Sequence, residues 1–465
     1  MTRRYSQIAL SVALIVELAG CAGPAVKTAV VAPVSPAASW RTDDGARAPI
    51  DAQWWTQFSD PALVALIDKA LANNSDIAIA AARVREARGN LQLARSQLFP
   101  TLEGGVVAGR SRSVDAFGTH LTQGFVQPQL QAAYEVDLFG RLSDTTSAAR
   151  SAYLASAAAR DSVRLAIISV TASQYITLLG LDVRLTIARQ TVAARADSLR
   201  LATSRDRAGY APRLELRQAQ AEYDAAAQII PQLESAIART ENSISQLVGE
   251  VPGAIARAGT LEALSKPPVP DGLPSQLLDR RPDIAQAANQ LAATDASLSA
   301  ARKRFLPQLR LTGVAGTAFS SALRDPIAIW SIGGSVLAPI FEGGRLQAQA
   351  EVAASQRDQA ASFYRRTVLT SFREVEDALA SVKQVDAQLE LARHQVDTLV
   401  ETLRLATNRY RAGYSSYLEQ LDAQRGLLNA QLSAASLQTD ALTARVLLYQ
   451  AMGGGWSASP DEKPE

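Results

Sequence analysis

The stretch RLATNRYRAGYSSYLEQLDAQ, Arg404–Gln424, repeats most of an earlier stretch of the same chain, RLATSRDRAGYAPRLELRQAQ, Arg200–Gln220. A second pair of similar segments occurs in the same order, one ending at Pro100 and the other at Pro307. Self-similarity at a fixed spacing is typical of a duplicated structural unit. The sequence therefore predicts two copies of one unit of roughly 200 residues, folded into one body.

The charge and the residue composition exclude several classes of function. Among 465 residues there are 47 basic and 45 acidic ones, which leave a net charge of +2. Nucleic-acid binding normally needs a clustered basic excess, so we do not expect that partner. Two histidines and one cysteine provide little for a metal site or a catalytic nucleophile. We therefore expect neither an enzyme nor a bound metal or cofactor, apart from the covalent lipid argued next.

The N-terminus has the layout of an export signal. Arg3 and Arg4 supply positive charge, and Ile8–Val16 is an apolar run too short to cross a bilayer. The small residues of LAGC lead to Cys21, a pattern that resembles a bacterial lipoprotein signal. The resemblance implies cleavage before Cys21 and a covalent lipid on its sulfur, which would anchor the chain to a membrane without spanning it.

Two neighbours of this cysteine bear on the interpretation. Ala22, rather than an acidic residue, follows Cys21, which in such lipoproteins implies passage to the outer membrane. Glu17 departs from the pattern, because a charge this close to the cleavage site is unusual. The alternative is an ordinary signal peptide followed by a buried free cysteine.

Two long segments predict unusually long helices. Residues 141–211 contain no proline and are rich in Ala, Leu, Arg and Gln, which favour helix. A helix of nearly 70 residues would be about 100 Å long. The second copy has no proline between Pro339 and Pro460, and apolar residues recur there at every seventh position. These are Val375, Val382, Leu389, Val396 and Leu403. The period predicts a left-handed coiled coil.

Polar and helix-breaking residues interrupt these helices at a few positions. Asp386 and Arg393 fall on the companion row of the coiled coil, which predicts a stretch that faces water. Gly209 and Gly413, in RAGYAP and RAGYSS, can adopt the left-handed conformation of a helix end, so both motifs predict helix-to-helix turns. Pro231 is expected to kink or split the helix that follows the first turn.

Between the helices lie two pairs of predicted strands. Apolar and polar residues alternate in Phe125–Leu138 and again in Trp330–Ile340, and a glycine-rich partner precedes each. We predict four strands of about 9–12 residues, the length of a tilted membrane-crossing strand. Loops are predicted at 114–124 and 320–329. Outside the signal, no apolar run approaches the ~20 residues of a membrane-spanning helix.

Four strands cannot close a barrel, and open strand edges are not tolerated in lipid. The chain must then oligomerise, and multiples of four allow barrels of eight, twelve or sixteen strands. A soluble, half-buried sheet is the alternative explanation of the alternation. The export signal and the twofold repetition favour the membrane.

Four stretches, in order, connect the chain to a known family. They are WWTQFSDPALVALIDKALANNSDI from Trp54, GLPSQLLDRRPDI from Gly272, YRAGYSSYLEQLDAQR from Tyr410 and YQAMGGGW from Tyr449. Together they resemble the outer membrane factor family, the TolC-like export ducts, and in particular its lipoprotein branch associated with resistance-nodulation-division efflux. The resemblance implies an α+β membrane protein, internally duplicated, with four barrel strands and long coiled-coil helices per chain. It also implies a homotrimer whose twelve-strand β-barrel continues into a twelve-helix α-barrel.

The resemblance also divides the chain into segments. The predicted divisions are a signal peptide (1–20), a lipid-anchored N-terminal segment (21–59), a first repeat (60–251), a linker (252–282), a second repeat (283–452) and a C-terminal tail (453–465). In the family, the linker region and the C-terminal segment form a belt around the middle of the tunnel.

The same resemblance assigns a role to the two RAGY turns. They become the periplasmic tips of the tunnel, where such ducts contact the hairpins of a periplasmic adaptor protein. The residues assigned to this contact are Arg207, Gly209, Tyr210, Arg411, Gly413 and Tyr414.

A periplasmic gate is implied next to the tips. Its assigned residues are Tyr410, Leu418, Glu419, Asp422 and Glu215. Tyr410 would help to hold the closed tip and Leu418 would close the lumen. Glu419 and Asp422 are three positions apart and so share a helix face, where threefold symmetry would turn each into a ring that binds cations. The alternative is an ordinary solvated helix face.

One position departs from the family pattern at this gate. Ser415 stands where relatives have arginine, which predicts a gate tied by fewer ionic links.

The predicted function is that of an outer-membrane channel subunit of a tripartite efflux pump. Such a passive duct carries small toxic compounds from a periplasmic adaptor and an inner-membrane transporter to the exterior. The predicted location is the outer membrane, with a lipid anchor and with the helical tunnel in the periplasm. One alternative is a type I protein secretion duct. Another is a lipid-anchored coiled-coil scaffold or adhesin, which would leave the strands unexplained.

Overall fold

A computed structural model describes residues 28–29, 32, 34–41, 50–114, 116–210, 212–270, 272, 274–321 and 324–457. The predicted signal peptide, Cys21 and most of the C-terminal tail lie outside these residues. In the described part the helices are α1 (Pro61–Asn73), α2 (Ser75–Ser96), α3 (Arg141–Arg207), α4 (Arg213–Leu247), α5 (Leu277–Arg280), α6 (Pro282–Lys303), α7 (Arg345–Arg411) and α8 (Tyr417–Ala451). The strands are β1 (Thr101–Val114), β2 (His120–Val136), β3 (Gln308–Ser320) and β4 (Ile327–Leu337).

The two longest helices confirm the duplication. Helices α3 and α7 have 67 residues each, which corresponds to about 100 Å of helix. Helices α2 and α4 both pack along α3, and α8 packs along α7. Contrary to the sequence prediction, α3 contains an apolar window long enough to cross a bilayer, but 61% of that window is buried inside the fold, as in a core helix.

Helix α4 continues through Pro231, so of the two predicted outcomes, a kink or a split, the split does not occur. A proline within a helix removes one backbone hydrogen bond and crowds the preceding turn. Here Pro231 is exposed, and its neighbours Ile229 and Ile230 pack against a cluster around Leu181 and Leu233. These contacts with α3 keep the helix continuous on both sides of the proline.

The four strands form one antiparallel sheet in the order β1-β2-β3-β4. Strands β1, β2 and β3 have 14, 17 and 13 residues, longer than predicted, and β4 has 11. The connections between strands are correspondingly shorter than the predicted loops. Pairing continues past the end of the hydrophobic alternation, for instance between Arg112 and Thr122, because backbone hydrogen bonds do not require an apolar face. Within the described residues, the outer edges of β1 and β4 have no strand partner.

The register of the sheet separates an apolar face from a polar one. Val126 pairs with Ala108 on one side and Phe319 on the other, and residues that pair directly share a face. The apolar face also carries Leu102, Val106, Leu130, Tyr134, Val136, Leu309, Leu311, Trp330, Ile332 and Val336. From Val126 to Val136 the band is about 25 Å high at a rise of about 3.3 Å per residue and a tilt of about 40°.

The largest hydrophobic core lies near the middle of the long helices. Trp54 and Tyr449 are fully buried and stack with ring centroids 5.1 Å apart. The hydroxyl of Tyr175 donates to Asp60 Oδ2 over 3.1 Å, and Asp60 also caps the N-terminus of α1. These contacts join the segment before α1 to α3 and α8.

The linker packs against the same level of the helices through an ion pair. Arg445 on α8 contacts Asp386 on α7 at 2.5 Å and donates to the carbonyl of Pro267 over 3.2 Å, and Lys266 contacts Asp386 at 3.2 Å. Burial raises the pKa of Asp386, but hydrogen bonds and charge from Arg445 and Lys266 outweigh it and hold the pKa below its usual value. The predicted water-facing stretch is thus found at Arg393, which is exposed, whereas Asp386 is 33% exposed and turns towards Arg445, whose side chain is only 9% exposed.

The described part of the N-terminal segment runs along α7. Ala29 N–H donates to Asp358 Oδ2 over 2.9 Å, and Arg357 donates to the Ala29 carbonyl over 3.0 Å. Farther down the helix, Trp40 is buried beside Phe372 and donates to the carbonyl of Gly272 over 2.7 Å. The segment thus descends from the sheet end of α7 towards its middle.

Candidate gate and coupling tips

Both RAGY turns lie at the ends of the helices that are far from the sheet. Gly209 and Gly413 have φ angles of 75° and 78°, in the left-handed region. In the first turn, Gly209 N–H donates to Asp206 O over 3.0 Å and Tyr210 N–H to Arg205 O over 2.9 Å. This is the Schellman pattern of a helix C-terminus, and it satisfies two carbonyls of the last turn of α3. The predicted helix-to-helix turns are therefore confirmed.

The ends of the two turns project from the helices. Tyr210 and Tyr414 are 86% and 80% exposed, and Arg207 and Arg411 are exposed beside them. Exposed aromatic and guanidinium groups of this kind are enriched where proteins bind one another. The structure thus leaves the six residues predicted for adaptor contact available on two similar surfaces.

A hydrogen bond joins the two helical hairpins of the chain just above the tips. The hydroxyl of Tyr410, on α7, donates to Glu215 Oε1 on α4. The guanidinium of Arg205, on α3, lies 4.7 Å from the centroid of the Tyr410 ring. Burial, and then the hydrogen bond to Glu215, raises the pKa of Tyr410 to about 12, so its hydroxyl keeps the proton that it donates at neutral pH.

Apolar contacts enclose this hydrogen bond. Tyr410 and Tyr417 are 5% and 4% exposed, with ring centroids 5.6 Å apart. Ala202, Ala219 and Leu421 complete the cluster, which draws on all four helices of the tips. Because Tyr410 is buried and Glu215 is half-buried, the link between them is stronger than a fully exposed hydrogen bond.

The other three predicted gate residues are distributed along the start of α8. Glu419 is half-buried and contacts Arg409 on α7 at 3.3 Å, whereas Asp422 is exposed and forms no ion pair among the described residues. Leu418 is 52% exposed. Tyr410 and Glu215 are thus brought together, but Glu419 is paired within its own hairpin, which the sequence did not indicate.

A second ionic cluster lies about two to three helical turns farther from the tips. Arg195 on α3 is 3% exposed; it donates to the Gln424 side chain and lies 3.7 Å from Glu222 on α4. Arg425, on α8, donates to Glu222 over 2.9 Å. Burial lowers the pKa of Arg195, partly offset by the charge of Glu222. This cluster also joins the two hairpins.

Sequence reasoning did not identify this cluster. The only indication of the cluster in the sequence is Arg195, a basic residue in a helix that buries many apolar residues. At Ser415, where the family pattern has arginine, the hydroxyl is buried without a hydrogen-bond partner among the described residues. Inside one chain, Arg409, Arg195 and Arg425 provide ionic links close to the tips.

Taken together, the fold and the tips define a class of protein. A sheet with one apolar face, continued by helices of about 100 Å whose far ends are tied by polar links, is the architecture of an outer-membrane export channel. In the described residues, no group of three or more His, Cys, Asp or Glu side chains is arranged to hold a metal ion.

Comparison with known proteins agrees with this class. The sequence model described as Outer membrane efflux protein matches residues 66–250 and 273–454. The solvent efflux pump outer membrane protein SrpC of Pseudomonas putida is 36% identical over 413 residues, which cover 86% of this chain and 87% of that protein. The pyoverdine export outer membrane protein OpmQ of Pseudomonas putida is 33% identical over 462 residues, 96% of this chain and 97% of that protein.

A solved structure shows the same fold. The open state of the MtrE outer membrane channel of Neisseria gonorrhoeae superposes with a TM-score of 0.81 at 28% identity, covering 92% of this chain and 98% of that one. The chain belongs to the outer membrane efflux protein family. It is an outer-membrane efflux channel protein, so the predicted outer membrane factor family and the predicted outer-membrane location are confirmed.

Proposed function

We propose that three copies of this chain close a twelve-strand barrel in the outer membrane and continue it as a twelve-helix tunnel through the periplasm. The observation that carries the proposal is the sheet itself. Its apolar band is about 25 Å high, close to the thickness of the hydrocarbon layer, and its edges at β1 and β4 have no partner in the part of the chain that is described. Lipid offers no hydrogen bonds to such edges, so β1 of one copy pairs with β4 of the next.

The proposed duct acts as the outer component of an efflux pump. The tips, with Tyr210 and Tyr414 exposed, dock onto a periplasmic adaptor that connects them to an inner-membrane transporter. Named relatives serve solvent, toluene, antibiotic and pyoverdine export. By analogy, this duct carries small compounds of that kind to the exterior. Those names favour small-molecule efflux over type I protein secretion.

Opening of the proposed gate means separating the second hairpin from the first. The closed arrangement has two levels of links between the hairpins. Tyr410 binds Glu215 near the tips, and farther from them Arg425 binds Glu222 and Arg195 binds Gln424. An adaptor that binds the open tips more tightly than the closed ones shifts the equilibrium by that difference in affinity. Opening therefore requires that the contacts at both levels break, and it involves no covalent reaction.

The carboxylates of Glu419 and Asp422 give the proposed pore its cation preference. In a trimer each forms a ring of three carboxylates, and neutralising both in Glu419→Gln/Asp422→Asn is expected to reduce cation selectivity and relieve block by divalent cations by about tenfold. Single-channel recording in planar bilayers with added divalent salt measures both effects.

A matched variant controls for loss of surface charge in general. Glu401 pairs with Arg404 on an exposed part of α7, away from the tips, so Glu401→Gln is expected to leave selectivity and block unchanged. Identical divalent block in the wild type and in Glu419→Gln/Asp422→Asn would refute the proposed rings.

A lipid on Cys21 fits the course of the N-terminal segment. Ala29 is held at Asp358, about 20 Å along α7 from its sheet end. The eight residues from Cys21 to Ala29 can span up to about 27 Å. We therefore propose that Cys21 reaches the periplasmic face of the membrane and carries the lipid there.

Replacing this cysteine tests the anchor separately from the duct. Cys21→Ser is expected to abolish incorporation of radiolabelled palmitate, since no other cysteine occurs in the chain. Ala22→Ser, at the neighbouring position, is the matched control and should retain the label. Equal labelling of wild type and Cys21→Ser would exclude a lipid at this residue.

A further inference from the structure

Two arginines lie on the apolar face of the sheet, beyond the end of the apolar band. Arg110 pairs with Gly124 and Arg112 with Thr122, in the same alternation that places Val106 and Ala108 on that face. Both are on β1, next to the turn that joins β1 to β2. Their side chains therefore continue the row of residues that contacts the hydrocarbon.

Their height along the sheet puts these arginines at one surface of the membrane. The helices leave the sheet at its opposite end, since α3 begins shortly after β2 ends. The end with Arg110 and Arg112 therefore points away from the periplasm. An arginine on the lipid face is strongly destabilising at the middle of a bilayer and is tolerated at its interfaces. An arginine that points outward from the barrel is thus tolerated in the row immediately beyond the apolar band.

Arg110 and Arg112 have no acidic partner among the described residues and are therefore available to bind an anion. Both residues are exposed, and neither forms an ion pair within the part of the chain that is described. On the neighbouring strand β2, His120 pairs with Val114 and therefore lies on the same face of the sheet as the two arginines. The turn between β3 and β4 carries Asp325, which the next copy would bring towards β1.

We propose that Arg110 and Arg112 bind phosphate groups of lipid headgroups in the outer leaflet of the outer membrane. The inference rests on the proposed barrel, because it takes the apolar face as the lipid-facing one. Guanidinium groups bind phosphate through two parallel N–H donors, so two arginines spaced two residues apart on one strand form an extended cationic site. Charge complementarity and continuity with the apolar band both favour a phosphorylated lipid as the occupant.

The two repeats differ at this site. Counted from Pro100 and Pro307, the second repeat has Thr317 and Phe319 where the first has the arginines. A trimer would therefore carry three separate lipid sites, each near the seam between β1 of one copy and β4 of the next. A lipid bound there also bridges adjacent copies.

Native mass spectrometry of the detergent-purified protein with added lipid tests the proposal. The probe is diphosphoryl lipid A, compared with the same lipid after enzymatic removal of its phosphates. The wild type is expected to bind the phosphorylated form at least about tenfold more tightly. Arg110→Gln/Arg112→Gln is expected to lose this preference, and Arg110→Lys/Arg112→Lys to retain part of it.

A control variant separates the site from general loss of charge. Arg310 lies on the polar face of β3, so Arg310→Gln should bind phosphorylated lipid as the wild type does. No preference for the phosphorylated lipid in the wild type, or an unchanged preference in Arg110→Gln/Arg112→Gln, would overturn the proposal. If Asp325 of a neighbouring copy occupies the arginines instead, only Asp325→Asn will show the preference, and the proposal fails.

Failure of the lipid site can be told apart from failure of the barrel. Heat-dependent migration in gels and insertion into phosphatidylcholine vesicles both test whether the barrel forms. Neither assay requires lipid A to bind at Arg110 and Arg112. A protein that inserts and migrates as a barrel but shows no preference for phosphorylated lipid A contradicts the lipid site alone.

Discussion

Tyr410→Phe/Glu215→Gln is expected to raise the single-channel conductance of the duct at least several-fold. The pair is the link nearest the tips, and it joins α7 to α4 beside the buried apolar cluster of Tyr410 and Tyr417. A hydrogen bond to a charged partner contributes roughly 1.5–3 kcal/mol. Three copies in a trimer would shift the equilibrium from closed to open by more than a hundredfold if they act together. Planar-bilayer recording of purified protein measures the change.

The control for this variant is another tyrosine of the same tip. Tyr414 is 80% exposed, so Tyr414→Phe removes a hydroxyl without removing a link between the hairpins. It should conduct as the wild type does. Equal conductance of wild type and Tyr410→Phe/Glu215→Gln would show that the closed state depends on other contacts, such as those of Arg195.

Gly453→Ala is expected to destabilise the protein severely. Gly453 has a φ of 90°, and a methyl group there would lie 1.9 Å from the carbonyl oxygen of Arg280. No rotamer change relieves a clash with backbone, so the end of α8 must move away from the linker. Left-handed strain and loss of this packing together should cost about 3–5 kcal/mol of unfolding free energy. A thermal scan by circular dichroism in detergent measures the loss.

Gly413 provides the matched comparison. It has a φ of 78°, but a methyl group there would meet no atom within 4 Å. Gly413→Ala should therefore cost only the left-handed strain, roughly 1–2 kcal/mol. Similar losses in Gly413→Ala and Gly453→Ala would mean that the contact with the Arg280 carbonyl does not hold the end of α8 in place.

The sequence predicted most of the fold because the fold depends on local periodicity. The repeated stretches at Arg200 and Arg404 correspond to the ends of two helices of identical length, α3 and α7. The alternation from Phe125 onward gave the face of β2 correctly. The ends of the strands were not predicted, since pairing beyond the apolar band leaves no alternation to recognise.

Long-range polar partners account for the other differences. In the sequence, Asp386 interrupts a heptad pattern, and only the structure shows that it pairs with Arg445 and Lys266. Likewise, the chain gives no sign that Arg195 and Glu222 meet across helices. At the gate, the assigned residues came from family resemblance, and the pairing of Glu419 with Arg409 depends on how closely α7 and α8 approach. Pairings of this kind follow from packing and not from spacing.

Counting the copies in the assembled protein tests the central claim most directly. The described residues of each chain supply four strands with two open edges, so the number of copies fixes the number of strands in the barrel. Native mass spectrometry of detergent-extracted protein is predicted to show a mass of three chains, and hence a twelve-strand barrel with a twelve-helix tunnel. A stable assembly of two or four chains, or a monomer that inserts into membranes alone, would contradict the account.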